Sequence, residues 1–221
     1  EPVCALIEDR MVGEVQPLFS KFPEVEVYTA AFDVLTGITG YHMTGGVLCA
    51  MRRRQLPDPD CIFKDARRIA ILEDVVNPTN IGAIFRNAAA LGVDGILLSP
   101  GCCDPLYKRA IRVSMGTVFQ IPWTFFDKKE NGWPQKEMMQ MKAAGFSMVA
   151  MALDDRATTI DNEILRSEDK IAILLGSEGY GLKDSTLSMC DYTVMIPMSN
   201  GVDSLNVAAA SALAFWELCR G

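Results

Sequence analysis

Short apolar runs of strand length recur along most of the chain, and helical stretches separate them. From residue 69 onward these runs are nearly continuous, which is typical of strands buried on both faces of a parallel sheet. They lie at residues 69–72, 95–98, 147–151, 171–175 and 192–196. Their alternation with helices predicts an α/β fold in which helices cover both faces of the sheet.

Residues 77–92 predict the best-defined helix of the chain. Asn77 or Asn80 can cap its start, and Pro78 fits its first turn. Gly92 can adopt the left-handed conformation that ends a helix. Further helices are predicted for residues 136–144, 160–165 and 204–220.

The first 56 residues carry a shorter pattern. Apolar runs at 3–7, 25–28 and 46–51 accompany an amphipathic stretch at 15–19, which predicts a small α/β domain over residues 1–56. Two prolines then remove backbone donors, so residues 57–66 are predicted to be a linker to a second domain over residues 67–221. Because the chain begins with Glu1 rather than Met, we expect a piece of a longer product.

Composition and charge narrow the classes of function. A chain of 221 residues with 49% hydrophobic and 22% charged residues is globular, which excludes disordered, collagen-like and coiled-coil proteins. The net charge of −7 argues against a protein that coats nucleic acid through bulk positive charge. Residues 52–112, however, hold ten basic and seven acidic residues, and this local excess of +3 can form a focused basic groove.

The reactive residue types exclude further classes. Seven cysteines without a Cys-x-x-Cys pair, mostly within apolar runs, predict buried thiols in a reducing cytoplasm. With His42 as the one histidine we expect no metal site, and we assign His42 no role. No apolar run approaches 18 residues, so we expect no membrane span.

Three loops that leave the apolar runs carry the polar and glycine residues on which chemistry can depend. In an open parallel sheet, ligands bind outside the carboxyl ends of the strands. The loops cover residues 73–80, 176–182 and 197–206. Three glycines in the middle loop allow close backbone approach to a ligand. Their order, Gly-x-x-Gly-x-Gly, differs from the dinucleotide fingerprint, and the loop lacks the Lys-Ser/Thr of a P-loop.

Together these loops resemble the three signature motifs of the SpoU (TrmH-like) RNA ribose 2′-O-methyltransferases of the SPOUT superfamily. The resemblance covers residues 69–219, with the motifs in order. They read Asn77-Pro-x-Asn80-x-Gly82-Ala-Ile-x-Arg86, Gly176-x-Glu178-Gly-x-Gly-Leu, and Ile196-Pro-Met followed by Ser204-Leu-Asn206-Val-Ala-x-Ala. Two departures, Asn87 where threonine is common and Ala208 where serine is common, leave the choice of acceptor open.

The resemblance implies a SPOUT fold, in which a parallel sheet with helices on both faces ends in a deep trefoil knot. It implies transfer of a methyl group from S-adenosylmethionine to a ribose 2′-hydroxyl of tRNA or rRNA. It also implies a cytoplasmic homodimer formed through the knotted domain, in which the arginine of one chain acts near the partner's cofactor. The N-terminal part resembles the trailing half of a small RNA-binding domain that many members carry, which implies that it is truncated.

The resemblance also assigns roles to residues of this sequence. Its cofactor contacts correspond to Gly176, Ile196 and Leu205, and we add their neighbours Leu175, Met198 and Gly181. We expect RNA to be bound by the basic connecting segment that contains Lys108, Arg109 and Arg112. We expect the same of the cluster Arg52, Arg53 and Arg54.

The residue types of the three motifs suit methyl transfer. The ribose hydroxyl must be aligned with a cationic sulfonium and made more nucleophilic. Arg86 can hold a phosphate or the developing alkoxide, but a guanidinium is a poor proton acceptor because it stays charged up to about pH 12. Asn80, Ser204 and Asn206 can orient the ribose and the loops. Glu178 can hold the cofactor loop or pair with Arg86.

Two alternatives stay open. A catalytically silent SPOUT-fold RNA-binding protein would keep the fold without turnover. The presence of Arg86, Glu178, Ser204 and Asn206 together argues against it. A flavodoxin-like nucleotide-binding enzyme would need phosphate-binding residues that the loop at 176–182 lacks.

Overall fold

The computed structural model describes residues 1–127, 132–154 and 157–219. The chain divides into two compact units, Glu1–Gln55 and Leu56–Gly221.

The first unit is a three-stranded sheet with two helices. Its strand order is β2-β1-β3, with β1 parallel to β2 and antiparallel to β3. Ala5, Ile7 and Val15 form its buried core. The three predicted strands and the amphipathic helix α1 are present, and α2 is an addition to the prediction. The elements are β1 (Pro2–Glu8), α1 (Val12–Phe19), β2 (Glu26–Ala30), α2 (Phe32–Thr39) and β3 (Val47–Met51).

The second unit is a seven-stranded parallel sheet with helices. Its strands are β4 (Arg68–Leu72), β5 (Gly95–Leu98), β6 (Trp123–Phe125), β7 (Ser147–Met151), β8 (Thr158–Thr159), β9 (Ile171–Leu175) and β10 (Tyr192–Met195). Its helices are α3 (Pro59–Phe63), α4 (Pro78–Ala90), α5 (Lys108–Val113), α6 (Glu137–Ala143), α7 (Glu163–Ser167), α8 (Asp184–Leu187) and α9 (Val207–Leu218).

All seven strands run in the same direction, in the order β6-β5-β4-β9-β7-β10-β8. The five predicted strands are confirmed to within one residue. The strands β6 and β8 were not predicted, because three and two residues are too few to give a pattern. Since β4 and β9 are neighbours at the centre, the loops that follow them emerge side by side.

The core lies in two layers, one on each face of this sheet. Along β4, Ala70 and Leu72 belong to one buried cluster, and Ile69 and Ile71 belong to the other. The first cluster includes the apolar faces of α4 and α9, and the second includes residues of α3 and α6. Alternate side chains of a strand point to opposite faces, so a continuous apolar run fills both layers. The predicted α/β architecture with helices on both faces is confirmed.

The helix boundaries follow local capping signals. Asn77 caps α4, since its Oδ1 accepts a hydrogen bond of 2.9 Å from the backbone N–H of Thr79, and Gly92 is left-handed as predicted. The last helix begins at Val207 rather than at residue 204, because the Asn206 side chain caps it. The predicted end of that helix at Arg220 lies outside the described residues.

The segment 57–66 differs from the predicted linker. It contains α3, whose residues Ile62 and Phe63 are buried in the second core layer. Pro59 stands in the first turn of this helix, where its missing N–H costs no hydrogen bond. The segment is therefore part of the second unit.

Candidate functional site

The loops predicted to carry chemistry meet at the carboxyl edge of the large sheet. A cavity of about 450 Å³ lies there, lined by residues that follow β7, β9 and β10 and by the first turns of α9. This is the edge at which parallel sheets bind ligands, and the volume falls in the range of small-molecule sites. The site is thus built by the topology of the sheet.

The six residues predicted to bind the cofactor all line this cavity. They come from three segments that are separate in sequence. They are Leu175, Gly176, Gly181, Ile196, Met198 and Leu205.

Gly176 is the position where the loop after β9 cannot tolerate a side chain. A Cβ atom there would lie 2.2 Å from the carbonyl carbon of Gly181 and 2.4 Å from the backbone nitrogen of Leu182. The close approach is maintained by Ser177 and Gly181, which exchange backbone hydrogen bonds of 3.1 and 2.9 Å. The loop is therefore a tight, internally bonded turn beside the cavity.

Asn80, Glu178 and Asn206, one from each motif, form a closed hydrogen-bonded triangle. The Nδ2 of Asn206 donates to Glu178 Oε1 at 2.7 Å and to Asn80 Oδ1 at 3.2 Å. The Nδ2 of Asn80 donates to the same oxygen of Glu178. Because the Asn206 Oδ1 accepts from the backbone N–H of Ala208, both ends of this amide are used. The triangle joins the starts of α4 and α9 to the loop after β9.

Arg86 lies apart from this triangle. It is exposed, and the structure records no hydrogen bond or ion pair for it within the described ranges. Six residues separate it from Asn80 on α4, which places the two side chains about 120° apart around the helix. Of the two roles predicted for Glu178, the structure shows contacts with the amides of Asn80 and Asn206, both through Oε1. Pairing of Glu178 with Arg86 stays a prediction.

The cavity is acidic. Glu178, Asp184 and Asp203 line it, and no lysine or arginine is among its lining residues in the described part of the chain. Ser204, the remaining residue predicted to be catalytic, also lines it. The field in the cavity therefore favours a ligand that carries positive charge.

Glu73, a residue that the sequence analysis left without a role, is fully buried at the end of β4. Its Oε1 accepts hydrogen bonds of 2.6 Å from both Trp133 Nε1 and Thr186 Oγ1, and its Oε2 accepts one of 2.8 Å from the backbone N–H of Lys183. The carboxylate therefore fixes the segment that follows the glycine loop. A buried apolar strand that ends in two acidic residues is the signal that could have identified it.

Asp74, the next residue, holds the same segment through an ion pair of 2.6 Å with Lys183 Nζ. Burial alone would raise the pKa of the Asp74 carboxyl, but hydrogen bonds from Lys183 and Ser99 hold it below its ordinary value. The hydrogen bond with Asp74 in turn raises the pKa of Lys183. Asp74 has a φ of +53°, a left-handed conformation that is uncommon outside glycine and asparagine.

The basic residues predicted to bind RNA are exposed, but another basic residue of the same region is buried. Lys108, Arg109 and Arg112 are exposed on α5, and Arg52, Arg53 and Arg54 are exposed at the end of the first unit. Arg68, which contributed to the local excess of positive charge, is buried instead. Its guanidinium donates to the carbonyl oxygens of Leu218 and Asp169 at 3.0 and 2.7 Å. This charge supports the fold and is unavailable to RNA.

The seven cysteines are all free thiols, but the prediction that they are buried is wrong. Cys61 is exposed and the other six are half-buried. Burial raises the pKa of Cys102 to about 11 and that of Cys190 to about 12. Thiols of this kind are poorly reactive at neutral pH, so they are unsuited to nucleophilic catalysis.

The described residues contain no group of three or more His, Cys, Asp or Glu residues placed to hold a metal ion. None of the helices within the described ranges has the length and apolar character needed to cross a membrane.

Fold and site together define an α/β protein with a cavity of small-molecule size at the carboxyl edge of a parallel sheet, beside a polar triangle built from three loops. The chain belongs to the SpoU rRNA Methylase family, whose model matches residues 67–216. The resemblance seen in the three motifs is thereby confirmed.

Relatives cover most of the chain. An uncharacterised tRNA/rRNA methyltransferase of Mycobacterium bovis is 44% identical over 194 residues, which are 87% of this chain and 66% of that protein. The chain thus spans slightly less than two thirds of that relative. The 23S rRNA (guanosine-2′-O-)-methyltransferase RlmB of Acinetobacter baylyi is 29% identical over 219 residues, covering 96% of this chain and 85% of its own length.

Solved structures share the fold. The AdoMet-bound rRNA methyltransferase from Sinorhizobium meliloti superposes with a TM-score of 0.82 at 23% identity, over 98% of this chain and 79% of that one. The SpoU methyltransferase AviRb from Streptomyces viridochromogenes, in complex with AdoMet, gives a TM-score of 0.80 at 24% identity, over 99% of this chain and 82% of its own.

Proposed function

We propose that this protein transfers a methyl group from S-adenosylmethionine to a ribose 2′-hydroxyl of RNA, with ribosomal RNA as the substrate class. One observation carries the proposal: the Asn80–Glu178–Asn206 triangle stands beside a cavity lined by all six expected cofactor residues. Relatives such as RlmB are 23S rRNA 2′-O-methyltransferases, which supports the choice of 2′-O-methylation and of ribosomal RNA.

The cavity fits S-adenosylmethionine in size and chemistry. Apolar side chains of Ile196 and Leu205 and the backbone of the Gly176 loop can enclose an adenosine. The acidic lining suits a ligand that carries a sulfonium and an ammonium group. When bound, this cofactor supplies an electrophilic methyl group. Glu178, Asp184 and Asp203 would hold the cofactor more strongly than the product, which lacks the sulfonium charge.

The chain's own residues would orient the acceptor. The triangle fixes the amide groups of Asn80 and Asn206, which limits the rotation of the polar surface that a ribose meets. Arg86 would hold an RNA phosphate or stabilise the developing alkoxide with charge-assisted hydrogen bonds. Because a guanidinium is a poor base, the proton of the hydroxyl would leave to a neighbouring acceptor or an RNA phosphate.

We propose that the active form is a homodimer. Arg86 lies on a different face of α4 from Asn80, which fits an arginine that completes the site of a second copy. Met115, Phe119 and Leu213 are among the exposed apolar side chains, which supports an apolar surface that a second copy of the chain would cover. Replacing Leu213 with glutamate should yield monomers in sedimentation analysis. These monomers should lose methyl transfer.

RNA would be contacted by the exposed cations of α5, Lys108, Arg109 and Arg112, and by the arginines at 52–54. We expect the enzyme in the cytoplasm, where ribosomal RNA is modified. The trefoil knot formed by the loops after β9 and β10 stays a prediction.

Two measurements test the proposal. Calorimetry should detect binding of S-adenosylmethionine and S-adenosylhomocysteine to the folded protein, and absence of binding would remove the methyltransferase reading. Incubation with total RNA and labelled cofactor, followed by mapping of the label, should locate a 2′-O-methylated ribose. The variant Arg86→Ala should bind the cofactor normally and lose at least about 100-fold in methyl transfer. Transfer at the parent rate would show that Arg86 has no catalytic role.

The same experiment separates the alternative of a silent RNA-binding protein. Such a protein would retain RNA and release no labelled RNA product at any cofactor concentration.

A further inference from the structure

A second cavity, of about 670 Å³, lies on the other side of the glycine loop. It is lined by Asp74 to Asn77, which follow β4, and by residues 177–184, which follow β9. Residues 177–182 and Asp184 also line the first cavity. A ligand in the second cavity would therefore lie next to one in the first, with a single loop between them.

The charges around this second cavity disfavour a phosphate group. Its lining holds three carboxylates, those of Asp74, Glu178 and Asp184, and one ammonium group, that of Lys183. Asp74 and Lys183 neutralise each other, which leaves two negative charges facing the space. A nucleobase is neutral, flat and able to form hydrogen bonds, so it can bind at such a surface. The negative phosphates of the RNA backbone are repelled by the two carboxylates.

Tyr180 is an exposed aromatic residue that lines both cavities. Its side chain is 97% exposed, although the loop that carries it is tightly held. The backbone N–H of Tyr180 donates to Ser177 Oγ at 3.3 Å, and the loop is closed by the two hydrogen bonds between Ser177 and Gly181. Val76, 68% exposed, lines the same cavity from the loop after β4. A rigid loop thus presents an aromatic ring at the boundary between the two cavities.

We propose that the second cavity receives an unstacked base of the substrate RNA, next to the acceptor ribose, and that Tyr180 stacks on this base. Single-stranded bases are commonly bound by stacking on aromatic side chains, and each such contact contributes about 1–3 kcal/mol. Because hydrogen bonds already hold the backbone of this loop, binding of the base needs to order only the side chain of Tyr180. The inference rests on the proposed function, since it assigns a positioning residue for the RNA of that reaction.

The test compares Tyr180→Ala and Tyr180→Phe with the parent, using total RNA from cells that lack this protein and labelled S-adenosylmethionine. Tyr180→Ala should raise the KM for RNA by roughly 5- to 150-fold, which corresponds to about 1–3 kcal/mol. Tyr180→Phe keeps the ring and should stay within about twofold of the parent. Tyr180 also lines the first cavity, but the residue is 97% exposed and the loop is held by backbone atoms and by Ser177. Both variants should therefore keep the parent's Kd for S-adenosylmethionine, whereas a structural change of the loop would alter that Kd.

Met139→Ala is the matched control, because it removes an apolar side chain of comparable exposure, 65%, from α6, which lines neither cavity. Its KM for RNA should equal that of the parent. An unchanged KM in Tyr180→Ala would overturn the stacking proposal while the parent's methyl transfer still supports the proposed function. A parallel loss of cofactor affinity in Tyr180→Ala would overturn it too, because Tyr180 would then support the first cavity. A parent that neither binds cofactor nor methylates RNA would overturn the proposed function itself.

Discussion

Replacing Glu73 with alanine should destabilise the second unit more than any exposed substitution at the site. The side chain is fully buried and accepts three hydrogen bonds, from Trp133, Thr186 and the backbone of Lys183. Alanine removes the acceptor and leaves three donors without a partner. A buried donor left without an acceptor lowers the free energy of unfolding by more than an ordinary hydrogen bond contributes.

The expected magnitude follows from the surroundings of each donor. Thr186 is fully buried and cannot reach water, so its lost hydrogen bond should cost about 1–3 kcal/mol. Trp133 and Lys183 are partly or largely exposed and can recruit water, at about 1 kcal/mol each. The sum is about 3–5 kcal/mol, the size known for removing one partner of a buried charged group. For a unit of this size it corresponds to a fall in Tm of roughly 6–20 °C.

Urea unfolding followed by circular dichroism gives the free energy of unfolding, and calorimetry gives the Tm. Glu137→Gln is the matched control. Glu137 is also a buried glutamate, but one of its oxygens has no hydrogen-bond partner within the described part of the chain, and burial raises its pKa. Charge on Glu137 therefore costs stability above its raised pKa, and the amide should be neutral or slightly stabilising at pH 7. A loss below about 1 kcal/mol in Glu73→Ala would refute the reasoning.

Three further outcomes are expected. Arg112→Gln should weaken RNA binding alike for all sequences and reduce the slope of log K against log salt by about one, without changing cofactor affinity in calorimetry. Asn87→Ala should cost about 1–2 kcal/mol in urea unfolding, because the Asn87 side chain donates to the Ala208 carbonyl at 2.8 Å and to Ser211 Oγ at 3.0 Å, joining α4 to α9. Asp74→Asn should flatten the acid limb of the stability curve. Because folding lowers the pKa of the Asp74 carboxyl, the charged carboxylate stabilises the fold at pH values above its unfolded pKa of about 3.8. This stabilisation disappears as the pH falls through the lower pKa of the folded state. The ion pair is partly exposed, so the stabilisation should not exceed about 1 kcal/mol.

The elements that could be predicted are those whose signals are local. The helix α4 has its cap, its first-turn proline and its terminal glycine within sixteen residues, and the five long strands are continuous apolar runs. The helix α3 could also have been found, since Asp58-Pro59 precedes the apolar pair Ile62-Phe63. Pro57 and Pro59, however, are also typical of a linker, which is what the sequence pattern predicts there.

For the site, too, the features with local sequence signals could be predicted and the long-range contacts could not. The residues of the triangle were predicted one by one from their motifs, but their mutual hydrogen bonds depend on β9 lying beside β4, which no local pattern indicates. The two acidic residues at the end of β4 could have identified Glu73, but its partners lie 60, 110 and 113 residues away, so no local pattern indicates which groups it holds. The departures from the family at Asn87 and Ala208 lie together in the contact between α4 and α9, and neither residue lines a cavity.

The strand order has a consequence for the synthesis of this protein. The central pair joins Leu72 of β4 to Leu175 of β9, 103 residues later. Among the described strands, β7 pairs with β9 and β10. At about 5–20 residues per second on the ribosome, β4 emerges roughly 5–20 s before its central partner. During that interval the apolar edge of β4 lacks this partner, and β7 has no strand to pair with. The nascent chain thus passes through a stage that is exposed to aggregation. Its candidate site is complete only after Ala210 has left the ribosome.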